Sequence, residues 1–132
     1  MAIWMLPTNS PYGGWAGGGE IDIMEAVNLK ADSDEAGVPE GTPEARVHGT
    51  LHYGRTWPGN VNSGASYKLP EGLNPADDFH EYALEWEAGE IRWYVDDVHY
   101  ATHRQDGWYS QYMVDGVLTD APPGSTLSAF VT

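Results

Sequence analysis

The six residues Glu20–Glu25 (EIDIME) constrain the fold of this chain more than any other stretch, because acidic and apolar residues alternate along it. Such alternation is typical of a β-strand with one polar and one apolar face. The first two acids then share one face, and the isoleucines point towards the core. Unbroken alternation would bury Glu25 as well, and an unpaired carboxylate in a core is costly. We therefore predict a β-bulge at Ile23 or Met24 that returns Glu25 to the acidic face.

This geometry predicts an acid–base site. With a bulge, Glu20 and Glu25 are separated by roughly 13 Å of backbone at ~3.3 Å per residue, so their long side chains can bring the carboxyl groups to about 5 Å. Retaining glycosidases separate their two carboxyl groups by about 5–5.5 Å, whereas inverting enzymes need roughly 6.5–9.5 Å. Asp22 lies between the two glutamates. Three crowded acids do not all stay ionised cheaply, so the pKa of at least one should rise.

The motif Gly19–Glu25 resembles the signature of glycoside hydrolase family 16, in the bulged form found in laminarinases (endo-β-1,3-glucanases). Further stretches agree with this family in the same order along the chain: Ile3–Pro7, Gly49–Gly54, Phe79–Trp86 and Ile91–Asp96. The family's catalytic domain is nearly twice as long as this chain, so we expect residues 1–124 to be a partial family 16 catalytic domain. Residues 125–132 are expected to be a divergent or truncated tail.

The expected fold is all-β, an antiparallel β-sandwich, because strand alternation and turn residues recur along the chain. The resemblance implies the jelly-roll (concanavalin-like) type, with a substrate cleft across one sheet, in incomplete form. Residues 3–6 predict a buried strand, 46–53 a strand with one wet face, and 79–103 a three-stranded meander. Three segments have no clear strand pattern. Residues 28–45 predict a loop with solvated acids, and residues 54–78 predict a second loop. The third segment is residues 104–132.

The resemblance implies retaining cleavage of β-1,3-glucan or mixed-linkage β-glucan within the polysaccharide chain. Matched to the family motif, Glu20 is the nucleophile, Glu25 the acid/base, and Asp22 holds Glu20 in position and modulates its charge. Three alternatives remain open. The chain is a non-catalytic carbohydrate-binding sandwich, it is a transglycosylase that uses the same site, or the three acids are merely a solvated strand face. As a partial domain, the chain alone is expected to be inactive if essential strands are missing.

Aromatic residues are the candidates for sugar binding, since six Trp and eight Tyr are many for this length. Trp15 stands alone in the glycine-rich segment 7–19, close to the acids, where there is little core for it to join. Trp4, His52 and Trp57 are further candidates by the resemblance. Packing into a β-rich core is the alternative role for each Trp.

Charge excludes several classes of partner. Twenty acids against six bases give a net charge of −14, and nucleic acids and anionic membranes are bound by clustered Lys or Arg. A neutral β-glucan is compatible with this charge, and no metal or other cofactor is implied. The chain contains no Cys and no signal-peptide pattern, and the resemblance implies a secreted or periplasmic protein that is a monomer when complete.

Overall fold

The computed structural model describes residues 1–130. Its strands in chain order are β1 (Ala2–Met5), β2 (Glu20–Glu25), β3 (Arg46–Tyr53), β4 (Val61–Lys68), β5 (Tyr82–Glu87), β6 (Glu90–Val95), β7 (Val98–Arg104), β8 (Gln111–Val114) and β9 (Val117–Asp120). They form a four-stranded sheet β1-β2-β3-β4, a three-stranded sheet β5-β6-β7 and the hairpin β8-β9, all antiparallel. No helix among the described residues is long and apolar enough to cross a membrane.

The two larger sheets pack face to face around an apolar layer. Ile21 of β2 and Leu51 of β3 belong to the same buried cluster as Ile91 and Trp93 of β6. A second cluster, at the other end of β3, joins the two sheets through Met24, Val47 and Val95. The antiparallel all-β sandwich predicted from alternation is therefore confirmed. Its core is formed by the apolar faces of β2, β3 and β6.

The first strand is present as predicted, but its predicted burial is wrong. Ile3 and Met5 are 46% and 37% exposed, although each pairs with a residue of β2 that faces the core. β1 is the edge of its sheet, and the described part of the opposite sheet does not cover it. An apolar run indicates burial only when another layer lies against it.

Three strands, β4, β8 and β9, lie in segments where the sequence predicted none. β4 pairs with β3 along eight residues, Arg46 opposite Lys68 through Tyr53 opposite Val61. Its residues are mostly small or polar, which is a weak strand signal. The hairpin β8-β9 turns at Asp115 and Gly116, whose φ angles of 49° and 82° suit a tight primed turn.

The acidic segment 28–45 is a loop, but its acids are not all solvated as predicted. Glu44 is only 4% exposed and accepts hydrogen bonds from the guanidinium of Arg46, which also binds Asp34. These hydrogen bonds lower the pKa of Glu44 to about 2. The amide of Glu44 also donates to the carbonyl of Ala31 at 2.6 Å. The buried carboxylate is stable because it is paired.

Gly49, in the middle of β3, allows the two sheets to approach closely. A Cβ atom at this position would lie 2.6 Å from the hydroxyl oxygen of Tyr100 and 2.7 Å from Nε1 of Trp93. Both atoms belong to the opposite sheet, and Trp93 is fully buried. The absence of a side chain at position 49 therefore provides the space for the Trp93 indole.

We predict that Gly49→Ala lowers the free energy of unfolding by about 1–3 kcal/mol, because the added methyl group overpacks a filled core. Urea denaturation followed by tryptophan fluorescence measures this loss. Gly107→Ala is the control, since a Cβ atom there would meet no other atom within 4 Å. Equal midpoints for the two variants would show that the sheets can separate at Gly49 without cost.

Candidate active site

β2 contains the bulge that the sequence predicts. On its β1 side, Ile3 pairs with Met24 and Trp4 pairs with Asp22, so Ile23 has no partner in the register. On its β3 side the register shifts between Asp22 and Glu25, where three steps along β2 match two steps along β3. The extra residue is therefore Ile23, one of the two predicted positions.

The bulge places the three acids on one face of the sheet. Glu20, Asp22 and Glu25 each lie directly opposite a residue of β3, and side chains of opposite residues share a face. These partners are, in order, His52, Thr50 and His48. They alternate with the buried residues of β3, so all six side chains belong to the face that is turned away from the core. We call this face the acid face.

A hydrogen bond from the opposite sheet holds the backbone at the bulge. The indole Nε1–H of Trp93 donates to the backbone carbonyl of Asp22 at 2.8 Å, in a fully buried position. The alternation along β6 places Trp93 on the core face but does not reveal this contact with the acid strand. The sequence signal for such a contact is Gly49, because a glycine inside an otherwise regular strand indicates close approach of another group.

Glu20 is oriented by the loop that precedes it. The indole Nε1–H of Trp15 donates to Oε2 of Glu20 at 2.6 Å. The Trp15 ring also lies 5.6 Å from the imidazole of His52, measured between ring centroids. Trp15 is 42% exposed, so much of its ring faces solvent. The structure thus brings three of the candidate residues, Glu20, Trp15 and His52, into one contiguous group.

Asp22 is the acid whose charge is most disfavoured. It is 1% exposed, and this burial raises its pKa to about 7, with repulsion from Glu25 and Glu20 and a hydrogen-bond interaction with Glu20 adding to the effect. The prediction that one of the crowded acids has a raised pKa is therefore confirmed. The acid concerned is the middle one, which is also the most buried.

The other two candidates lie around this group. Trp4 is opposite Asp22 on β1, so its half-exposed ring shares the acid face. Trp57 lies outside the strands and is 67% exposed. Its amide donates to the carbonyl of Trp15 at 2.8 Å. The loop carrying Trp57 is thus attached to the loop carrying Trp15.

Donor atoms of Glu20, Asp22 and His52 lie within 4.8 Å of one another. Two carboxylates and an imidazole at this spacing are able to ligate a divalent cation. The raised pKa of Asp22 means that a cation would have to displace a proton from this group near neutral pH.

Comparison with known proteins identifies the family. The model for glycosyl hydrolases family 16 matches residues 1–117, which include the whole acid face. The chain belongs to this family. Its sandwich of antiparallel sheets is of the family 16 jelly-roll type.

Individual relatives of this family 16 chain are longer proteins. It is 42% identical over 109 residues to a glucan endo-1,3-beta-glucosidase A1 from Niallia circulans, covering 83% of this chain and 14% of that protein. It is 43% identical over 100 residues to a beta-1,3-glucan-binding protein from Penaeus monodon, covering 74% of this chain and 25% of that protein. The laminarinase catalytic domain from Thermotoga maritima has a similar structure, with 36% identity, a TM-score of 0.59, and coverage of 80% of this chain and 37% of that one.

Folding stability should depend on pH through Asp22. Between about pH 4 and pH 7 the unfolded chain has this group ionised, while the folded chain keeps it protonated. Folding therefore binds a proton, and stability falls as the pH rises through this window. We predict that Asp22→Asn removes this fall, so that at pH 8 the variant is more stable than the wild type by on the order of 2 kcal/mol.

Urea denaturation at pH 4.5 and pH 8 tests this prediction. Asp106→Asn, at an exposed position, is the control and should follow the wild-type curve. A constant difference between Asp22→Asn and the wild type at both pH values would contradict a raised pKa at Asp22.

Proposed function

We propose that this chain carries the site of a retaining glycoside hydrolase that cleaves β-1,3-glucan or mixed-linkage β-glucan internally. One observation carries the proposal. The bulge in β2 puts Glu20, Asp22 and Glu25 on one face, beside a half-exposed tryptophan that donates a hydrogen bond to Glu20. Membership of family 16 supports glycoside hydrolysis, and the names of the Niallia and Thermotoga relatives support a β-1,3-glucan substrate.

In the first step, a carboxylate oxygen of Glu20 attacks the anomeric carbon of the sugar. The glycosidic bond breaks, its electron pair goes to the leaving oxygen, and Glu25 donates a proton to that oxygen. The Trp15 N–H holds Oε2 of Glu20, so Oε1 is the oxygen available for attack. The product is a glycosyl ester of Glu20 and a released sugar chain.

In the second step, the Glu25 carboxylate removes a proton from water, and the water oxygen attacks the same carbon. The ester bond to Glu20 breaks and the nucleophile is restored as a carboxylate. Two inversions at one carbon give net retention of configuration. A sugar hydroxyl in place of water would give transglycosylation, which uses the same residues.

In this scheme the protonation of Asp22 changes with the charge on Glu20. Repulsion from Glu20 is one cause of the raised pKa of Asp22. When Glu20 forms the ester, its negative charge is lost, and Asp22 then releases its proton more readily to water and takes one up again when the ester is hydrolysed. The pair therefore carries a nearly constant charge through the two steps, which limits the cost of forming the ester in a partly buried site.

The substrate-binding residues in this proposal are Trp15, Trp4, Trp57 and His52. The three tryptophans are between 42% and 67% exposed and present flat apolar surfaces suited to sugar rings, while His52 lies beside the Trp15 ring. Secreted or periplasmic action on a polysaccharide, as a monomer without nucleic acid or membrane partners, belongs to the same proposal.

A second candidate function is binding of β-1,3-glucan without cleavage. The specific observation in its favour is the 43% identity to a relative named as a β-1,3-glucan-binding protein. A reducing-sugar assay on laminarin, together with a pull-down on insoluble glucan, separates the two functions. Retention on glucan without turnover, unchanged in Glu20→Gln, would favour the binding module and contradict the hydrolase.

Removal of the nucleophile should abolish hydrolysis but leave a site for chemical rescue. We predict that Glu20→Ala lowers laminarin hydrolysis roughly a thousandfold or more, because no covalent intermediate forms. Azide with an activated aryl β-glycoside should restore turnover and yield the α-glycosyl azide, because azide attacks the anomeric carbon from the face that Glu20 occupies and displaces the aryl oxide. Glu40→Ala, in the exposed part of loop 28–45, is the matched control and should retain wild-type activity.

Removal of the acid/base should affect substrates according to their leaving groups. We predict that Glu25→Ala lowers turnover by roughly a hundredfold or more for laminarin, whose leaving group needs protonation, and far less for aryl glycosides with good leaving groups. Added azide should yield the β-glycosyl azide. Equal losses for both substrate types, or an inverted product by NMR, would overturn the assignment of Glu25.

A further inference from the structure

The imidazole of His52 is directed at the buried carboxyl group of Asp22. Nε2 of His52 lies 3.2 Å from Oδ2 of Asp22, and the two side chains are 21% and 1% exposed. Among residues 1–130, Oδ2 of Asp22 and Nδ1 of His52 are buried polar atoms without an aligned hydrogen-bond partner. The contact with Nε2 of His52 is therefore the interaction available to Oδ2 of Asp22, and it leaves Nδ1 of His52 without a partner among these residues.

The surroundings of the imidazole indicate which nitrogen carries its proton. A proton on Nδ1 would bury an N–H donor without an acceptor, whereas a proton on Nε2 leaves Nδ1 as an unsatisfied acceptor. Buried donors without a partner are the rarer and more costly of the two. Doubly protonated imidazolium would also bury the Nδ1–H. The neutral tautomer with its proton on Nε2 fits the site.

We propose that His52 is a positioning residue, whose neutral Nε2–H donates to Oδ2 of Asp22 and leaves Oδ1 to interact with Glu20. Trp15 holds Glu20 from the other side through Oε2. His52, Asp22, Glu20 and Trp15 then form one chain of donors and acceptors across β3, β2 and the loop before it. This role goes beyond sugar binding and rests on the proposed function, because it explains how Asp22 is oriented towards the nucleophile.

Burial and the two glutamates of β2 raise the pKa of Asp22, and other titratable groups lie on the neighbouring strands. These are His48 of β3, which lies opposite Glu25, and the ammonium of Met1 before β1, which donates to the carbonyl of Ala26. The residues that β4 places opposite His52, Thr50 and His48 carry no charge: Asn62, Gly64 and Ser66. Trp93 contacts the Asp22 backbone from the core side. His52 is the nitrogen donor at the Asp22 carboxyl oxygen among these described side chains.

The test is an NMR titration of the Asp22 carboxyl carbon in the full 132-residue chain. The wild type should titrate near pH 7. His52→Phe keeps a ring but removes the donor, so the ionised carboxylate loses a hydrogen bond and the midpoint should rise by about half a pH unit or more. His52→Gln places an amide N–H near the position of Nε2 and should restore the wild-type midpoint.

The controls separate positioning from general disruption. His48→Phe, on the same face of β3, should leave the Asp22 midpoint unchanged. In the wild type, ¹⁵N chemical shifts of the His52 ring should report the proton on Nε2. A proton on Nδ1, or the same midpoint in His52→Phe and the wild type, would overturn the proposal.

These measurements need no substrate and no turnover. If His52→Phe raises the Asp22 midpoint but the wild type does not cleave glucan, His52 is retained as the positioning residue and the hydrolase is rejected. If the wild type cleaves glucan but His52→Phe leaves the Asp22 midpoint unaltered, the hydrolase is retained and His52 is rejected as the positioning residue. If His52→Phe does not fold, the ring ¹⁵N shifts and the His52→Gln titration still decide the proposal, because both use a folded chain.

Discussion

The hydrogen bond from Trp93 to the backbone carbonyl of Asp22 connects the core of the sandwich to its acid face. A bulge interrupts the regular ladder of β2, and a buried carbonyl left without a partner costs free energy. The Trp93 indole satisfies this carbonyl from the opposite sheet, in the space that Gly49 leaves free. The position of Glu25 therefore depends on how closely the two sheets pack, although Glu25 itself faces away from the core.

The electrostatics of the acid face follow from differences in burial among neighbouring carboxyl groups. Glu20 and Glu25 are partly exposed, whereas Asp22 between them is almost fully buried. Burial, together with repulsion from Glu25 and Glu20, therefore makes the middle acid retain a proton. The overall charge of −14 acts in the same direction, since it disfavours further ionisation.

The acid strand lies inside its sheet, while apolar surface remains exposed at the edge. β2 has β1 on one side and β3 on the other, so the cross-strand neighbours of all three acids are present. By contrast, the apolar residues of β1 are substantially exposed, and the chain spans 37% of the Thermotoga laminarinase domain. The pairing of β1, β2 and β3 with one another thus forms the acid face. Burial of the apolar residues of the core requires packing between more distant segments.

The sequence by itself determined the strand β2, its bulge and its three acids, because alternation and the cost of burying Glu25 act within six residues. It also indicated the alternating faces of β3. Only the tertiary structure decided that Asp22 has the raised pKa, that Ile3 and Met5 stay exposed, and that Val61–Lys68 forms a strand. Each of these depends on what lies against the residue rather than on the residue itself. Trp93 and Asp22 are 71 positions apart, and no local pattern records a contact that arises when two sheets close on one another.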